Sequence, residues 1–133
     1  MSNENVEIVR RIYSEGLIDR DPKRLVDEFA APDVEYVNPP EAIDPGVRRG
    51  RAEVRLALRR ARQASPAYRH ELHELFDHGD TVVASVSRHA GRATSSEVTQ
   101  EEAHSWTLRD GKVVRFERGP DLEAALEAAG SSQ

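Results

Sequence analysis

Cysteine is absent from this 133-residue chain, which excludes disulfides, thiolate nucleophiles and cysteine-based metal sites together. Positive charge is not in excess. Nineteen Lys and Arg against 24 Asp and Glu leave a net charge of −5, the reverse of the balance that holds a phosphate backbone, so nucleic acid is disfavoured as a partner. No apolar run approaches the roughly 18 residues that span a bilayer. The opening MSNENVEIVRR is polar and acidic where a secretory leader is basic and then apolar. A cytoplasmic protein with no membrane partner is therefore expected. Gly-x-Gly-x-x-Gly, P-loop and Gly-x-Ser-x-Gly patterns are missing, and no cofactor is expected. Large apolar residues are also scarce. Leu, Ile, Val and Phe total 29 of 133, which suits one lean core and a single domain over residues 1–133.

What the chain does contain is a run of helical patterns followed by strand patterns. Val6, Val9, Tyr13 and Leu17 recur at three and four, with Ile8 and Ile12 alongside, and predict an amphipathic helix from Asn5 to Leu17 with Tyr13 on its buried stripe. Asp21-Pro22 reads as an N-cap followed by proline at the first helical position of a second short helix, whose apolar face is Leu25, Val26, Phe29 and Ala30 and which ends by Ala31. Val34 to Asn38 alternates as a strand, with Val34, Tyr36 and Asn38 on one face, and the Pro39–Gly46 stretch reads as a loop. A third helix over Arg51 to Ala64 places Val54, Ala57, Leu58 and Ala61 on one arc. Arg51, Arg55, Arg59 and Arg62 form a separate basic stripe, read as a solvated face. Four strand patterns follow: Tyr68 to Asp77, Thr81 to Ala90, Glu97 to Leu108 and Val113 to Arg118. They are separated by His78-Gly79-Asp80, a loop at Gly91 and Arg109-Asp110-Gly111. A last helix starts after Asp121, with Gly130 closing it. The order predicts an α+β fold, helices packed on one face of a curved antiparallel sheet.

Such a fold leaves a pocket between helices and sheet, so polar residues on inward strand faces carry the functional information. Alternation groups Glu102, His104, Trp106 and Leu108 on one face, and Val114, Phe116 and Arg118 on another. Trp106 and Phe116 mark these faces as buried ones. His70 and His73 leave opposite faces of their strand and cannot share a metal; with no other dense His/Asp/Glu cluster evident, no metal site is expected. Each polar residue has a structural reading beside the functional one. Tyr13 fits a core tyrosine, Asn38 before Pro39-Pro40 a turn starter, His104 a hydrogen-bonded interior histidine, and Arg88 and Arg118 ion-pair partners of Glu102.

The order of elements resembles the SnoaL-like branch of the nuclear transport factor 2-like superfamily, which includes ketosteroid isomerases, polyketide cyclases and limonene epoxide hydrolases. The likeness is carried by Ile12-Tyr13 through Asp21, by Gly46-Val47-Arg48-Arg49-Gly50-Arg51, by Trp106 to Val114 and by Asp121 to Gly130. It implies a cone-shaped curved sheet wrapped around N-terminal helices, a pocket at its open end, and a homodimer. By the same resemblance Tyr13 matches the isomerases' first-helix tyrosine, Asn38 stands in place of their carboxylate base, and His104 in place of their protonated aspartic acid. Tyr36-Val37-Asn38 is similar to the Tyr-x-Asn of the epoxide hydrolases, whose last-strand aspartate corresponds to Arg118. Two readings stay open. One is a pocket for a lipophilic or cyclic, anionic ligand, with Tyr13, Asn38 and His104 as acid–base and orienting groups and Tyr36, Arg88, Glu102, Trp106, Phe116 and Arg118 as ligand-binding groups. The other is a non-catalytic homodimeric module that lacks the carboxylates. The dimer is expected through an outer sheet face bearing Val98 and Val113.

Overall fold

The computed structural model describes residues 2–40, 42, 44–64, 68–90 and 98–131. Five helices and six strands follow in the order α1 (Ser2–Ser14), α2 (Leu17–Arg20), α3 (Pro22–Phe29), β1 (Ala30–Asn38), β2 (Gly46–Arg49), α4 (Arg51–Ala64), β3 (Arg69–His78), β4 (Thr81–Ala90), β5 (Val98–Arg109), β6 (Lys112–Gly119) and α5 (Leu122–Ser131). One sheet holds all six strands in the order β2-β1-β6-β5-β4-β3. The α+β class and the curved, largely antiparallel sheet agree with the expectation. β1 departs from it by running parallel to β6, which brings Tyr36 opposite Phe116.

Local chemistry sets most of the boundaries. The first helical pattern breaks at Gly16, whose φ of 63° is left-handed, and a Cβ there would lie 2.9 Å from the Arg20 side chain. The chain so turns into α2, and Leu17 belongs to it rather than to α1. Asp21 caps α3 by accepting from the Arg24 amide at 3.1 Å, and Asp121 caps α5 through Ala124 at 3.2 Å. Positive φ at Asp110 (53°) and Gly111 (77°) makes the β5–β6 connection the mirror-image turn whose twist suits a hairpin.

Several expectations are corrected. Residues 46–49, for which no strand is expected and of which Gly46 ends the expected loop, pair with β1 as β2, because Gly46 at φ 104° turns the chain back alongside it. β1 begins at Ala30, and Pro32 is accommodated where the register with β6 shifts between Ala30 and Glu35, so no ladder bond is demanded of it. Gly130 lies within α5 rather than beyond it. The arginine stripe of α4 is solvated at Arg59, as expected, but its other members also tie the helix down: Arg51 donates to the Ala30 carbonyl at 2.9 and 3.1 Å, Arg55 to Asp27 at 3.0 Å and Arg62 to the Arg20 carbonyl at 3.0 Å.

The core lies between α1, α3, α4 and the inner face of the sheet. It is built on Val9, Ile12, Leu25, Val26, Trp106 and Phe116, with Val54 and Leu58 from α4. Trp106 and Phe116 stack at 3.9 Å between centroids, and Tyr36 stacks on Phe116 at 5.3 Å. A bulge between Thr107 and Leu108 pairs Leu108 with Val113 but Thr107 with Arg115, leaving Val114 as the extra residue. Simple alternation fails there. Val113, expected on the outer face, is 3% exposed and part of the core, while Val114 is not. The Val98 side chain lies outside the described residues. α5 packs on β3, β4 and β5. Val83 and Ala103 alternate away from the Trp106 face and are still buried, which places α5 over that side.

Candidate functional site

The inner face of β4, β5 and β6 carries a continuous polar chain that starts at the base of the core. Trp106 Nε1–H donates to the Tyr13 hydroxyl at 2.9 Å, and that hydroxyl lies 2.6 Å from His104 Nδ1. His104 Nε2 is 2.9 Å from Glu102 Oε1. A carboxylate only accepts, so Nε2 carries the imidazole hydrogen. Nδ1 is then the acceptor, and the Tyr13 hydrogen points to it. Arg118 donates to both Glu102 oxygens at 3.1 and 3.0 Å and, through its other terminal nitrogen, to the Tyr36 hydroxyl at 3.1 Å. Arg88 Nε lies 3.4 Å from Glu102 Oε2, its terminal nitrogen donates to Gln100, and its guanidinium stacks on the Tyr68 ring at 4.6 Å.

The electrostatics follow from this wiring. Burial pushes the Tyr13 hydroxyl well above its ordinary value. Burial also raises Glu102, but the His104 hydrogen bond and the Arg118 charge outweigh it and hold the carboxyl at about 2. His104 is fully buried, and this pushes it down to about 4 against the opposing pull of Glu102. Arg118 stays charged because Tyr36 and Glu102 more than offset its burial. The chain is therefore a carboxylate between two guanidiniums, with a neutral imidazole and a neutral phenol behind it.

Above the chain is a cavity of about 480 Å³ whose lining includes Tyr36, Asn38, Tyr68, Arg88, Glu102 and Arg118. Four lining residues, Tyr36, Ala61, Tyr68 and Arg118, also line a recess of about 30 Å³ that reaches Asp19 and His70. Of the nine residues singled out from the sequence, Tyr36, Asn38, Arg88, Glu102 and Arg118 line the cavity. Phe116 lines the recess, and Tyr13, His104 and Trp106 lie behind Glu102. Asn38 donates to the Asp44 carbonyl at 3.0 Å, tying the strand end to the loop it begins. Asp44 pairs with Arg48.

Sequence reasoning missed Asp19, Tyr68, Gln100 and above all His70. The β3–β4 turn pairs His78 with Thr81 and Leu75 with Ala84, but a bulge between Leu72 and Glu74 shifts the register so that His70 opposes Arg88 on the inner face. Without it, Glu71 would take that place. The bulge also brings three donors together. His70 Nε2, Glu102 Oε1 and His104 Nε2 lie within 4.8 Å of one another, which corrects the expectation that no such cluster forms. The set could hold a divalent cation only by displacing the His104 hydrogen and competing with Arg118 and Arg88 for Glu102. His73 instead meets Ser87 on the other side of the sheet.

The family model for the SnoaL-like domain matches residues 9–116. The chain belongs to the SnoaL-like family. Among solved structures it is similar to TerC, co-crystallised with polyporic acid, with 29% identity, 95% of this chain and 98% of that one covered, and a TM-score of 0.73. It is similar as well to a nuclear transport factor 2-like protein of unknown function from Burkholderia pseudomallei, with 24% identity, 93% and 95% coverage and a TM-score of 0.73. A Catenulispora acidiphila protein with a ketosteroid isomerase-like fold, solved in complex with trimethylamine, shares the fold at 18% identity, 93% and 92% coverage and a TM-score of 0.71. No curated protein matches the sequence. No helix among the described residues is long and apolar enough to cross a membrane.

Proposed function

We propose that this SnoaL-like protein binds a cyclic, largely apolar small molecule bearing an anionic oxygen, and performs proton transfer on it. The observation that carries the proposal is the charge of the cavity. Its lining holds three guanidiniums, Arg60, Arg88 and Arg118, against two carboxylates, Asp44 and Glu102, and Asp44 is already engaged by Arg48. Glu102 serves both Arg88 and Arg118, so the cluster keeps a net positive charge beside the rings of Tyr36 and Tyr68. An anionic ligand oxygen completes that arrangement. The similarity to a protein crystallised with polyporic acid, an acid by name, supports the same class of ligand.

Tyr13 and His104 act in this reading from behind, fixing the position and charge of Glu102 rather than touching the ligand. Asn38 holds the cavity mouth through Asp44. The proposal includes a homodimer. With Val113 in the core and α5 over the outer side of β3, β4 and β5, the outer face left for its interface lies on β1 and β6, carries Glu35, Arg115 and Glu117, and is of the wet, hydrogen-bonded kind.

The test is calorimetry with matched aromatic acids and their amides. The acid is expected to bind tighter by about 1.5–3 kcal/mol, the net contribution of a hydrogen bond to a charged group, and Arg118→Met is expected to erase the preference. Equal affinities for acid and amide in the native protein would make Arg118 a structural partner of Glu102 alone.

A further inference from the structure

Proton transfer needs a group with a free lone pair, and the groups first suited to it by sequence have none. His104 accepts at Nδ1 and donates at Nε2. Both Glu102 oxygens take hydrogen bonds from Arg118, and its carboxyl is held at about 2, which makes it a poor base. Among the described residues, the buried side-chain polar atom without a partner is His70 Nε2. This side chain is 6% exposed.

Asp19 determines what that atom is. One of its oxygens lies 2.6 Å from His70 Nδ1 and the other accepts from the His70 backbone amide at 2.8 Å. The residue is thus gripped at two points, and the hydrogen of the neutral ring is drawn to Nδ1. Nε2 is left with its lone pair. It lies 4.0 Å from Glu102 Oε1, beyond hydrogen-bond reach. The recess that reaches His70 and Asp19 has room for about one water and continues from the cavity past Tyr36 and Arg118. A buried acceptor in want of a donor is therefore placed beside two guanidiniums, Arg88 and Arg118, that share one carboxylate.

We infer that His70, oriented by Asp19, is the catalytic base of the cavity, taking a proton through the one water its recess can hold from a ring ligand whose oxygen is held by Arg118 and Tyr36. This rests on the binding reading above and adds to it a residue for the chemistry. His70 is the catalytic residue because it receives the reacting proton, relayed by that water; Asp19 is a positioning residue that acts through it.

The probe is 5-nitrobenzisoxazole. The water in the recess takes the proton from its ring C–H as it passes its own proton to His70 Nε2, the C–H electron pair completes the nitrile, the N–O bond breaks, and that pair leaves on the phenolate oxygen. His70 then returns the proton to solvent. Native protein is expected to exceed free imidazole by about 100-fold or more, the lower range for a positioned base. His70→Gln is expected to fall to background, with circular dichroism reporting its fold, and Asp19→Asn to lose tenfold or more. Nitrogen-15 shifts provide a readout that needs no ligand. At pH 9 the native His70 is expected to carry its hydrogen on Nδ1, and Asp19→Asn to populate the other tautomer.

Binding of the product 2-cyano-4-nitrophenolate, weakened in Arg118→Met, reports on the cavity separately. If the phenolate binds but native and His70→Gln proteins eliminate at the same rate, the base assignment is overturned and the binding reading stands. If the phenolate does not bind, the binding reading fails and the base falls with it. A native Nε2–H tautomer also overturns the assignment, as does stoichiometric Zn²⁺ binding abolished by His70→Gln, which would make that atom a metal ligand.

Discussion

Lowering the pH should unfold this protein through one residue before any carboxylate is involved. Burial pushes His104 from an ordinary value near 6.5 down to about 4. Between those values an unfolded chain binds a proton at this position and the folded chain does not. Stability is therefore fully present above pH 6.5 and falls as the pH drops toward 4. The complete shift corresponds to about 3 kcal/mol at roughly 1.4 kcal/mol per pH unit, and about 2 kcal/mol of it is lost between pH 7.5 and pH 5. Glu102 does not contribute in that window. Its stabilisation is present above its ordinary value near 4.5 and is lost only as the pH falls from there through about 2. The assay is urea denaturation of the native protein and His104→Gln at half-unit steps from pH 7.5 to 5. The variant starts lower, because the Tyr13 hydroxyl loses its acceptor, at a cost of about 1–3 kcal/mol for an unsatisfied buried group. Its profile should nevertheless be flatter by about 2 kcal/mol over the range. Parallel profiles would refute the reasoning, since His104 would then be protonated equally in both states.

Two further outcomes follow from the same contacts. Tyr13→Phe removes the donor to His104 Nδ1 and the acceptor of Trp106 Nε1–H at once, and should destabilise by about 2–4 kcal/mol in urea; a loss under about 1 kcal/mol would mean water replaces the hydroxyl. Sedimentation equilibrium at tens of micromolar should show a dimer if the outer face is an interface of ordinary size, and only monomer at that concentration would remove assembly from the proposal.

The sequence was legible wherever one periodicity ran unbroken. The heptad-like spacing of Val6, Val9 and Tyr13, the proline and cap at Asp21-Pro22, and the alternation of Glu102, His104 and Trp106 each report local geometry. The structure places these side chains on the expected faces. Alternation failed at bulges, where one inserted residue exchanges the two faces beyond it. Val114 in β6 and His73 in β3 are such insertions. The first hid Val113 in the core, and the second hid His70 among residues that parity assigns to the outside. Neither bulge has a glycine or proline to announce it. Likewise β2 and the parallel β1–β6 pair depend on partners far away in the chain, and no window on residues 46–49 contains that information.

The same bulge explains why resemblance to relatives leads to the saturated end of the site. The resemblance drawn from the sequence sets Tyr13, Asn38 and His104 against positions of the ketosteroid isomerases. In this chain the aromatic and imidazole groups close a circuit with Trp106, Glu102 and Arg118 in which every donor has an acceptor. A circuit of that kind fixes geometry and charge, and its members cannot exchange a proton with a ligand without breaking a buried bond. Proton transfer in the proposed reading therefore falls to a group outside the circuit yet close to it. His70 meets both conditions: its ring packs edge-on against His104 at 5.4 Å between centroids, while its own hydrogen bonds run to Asp19 on α2. The inserted residue in β3 therefore does more than reverse a face. It carries an imidazole with a free nitrogen to the rim of a network that is otherwise complete.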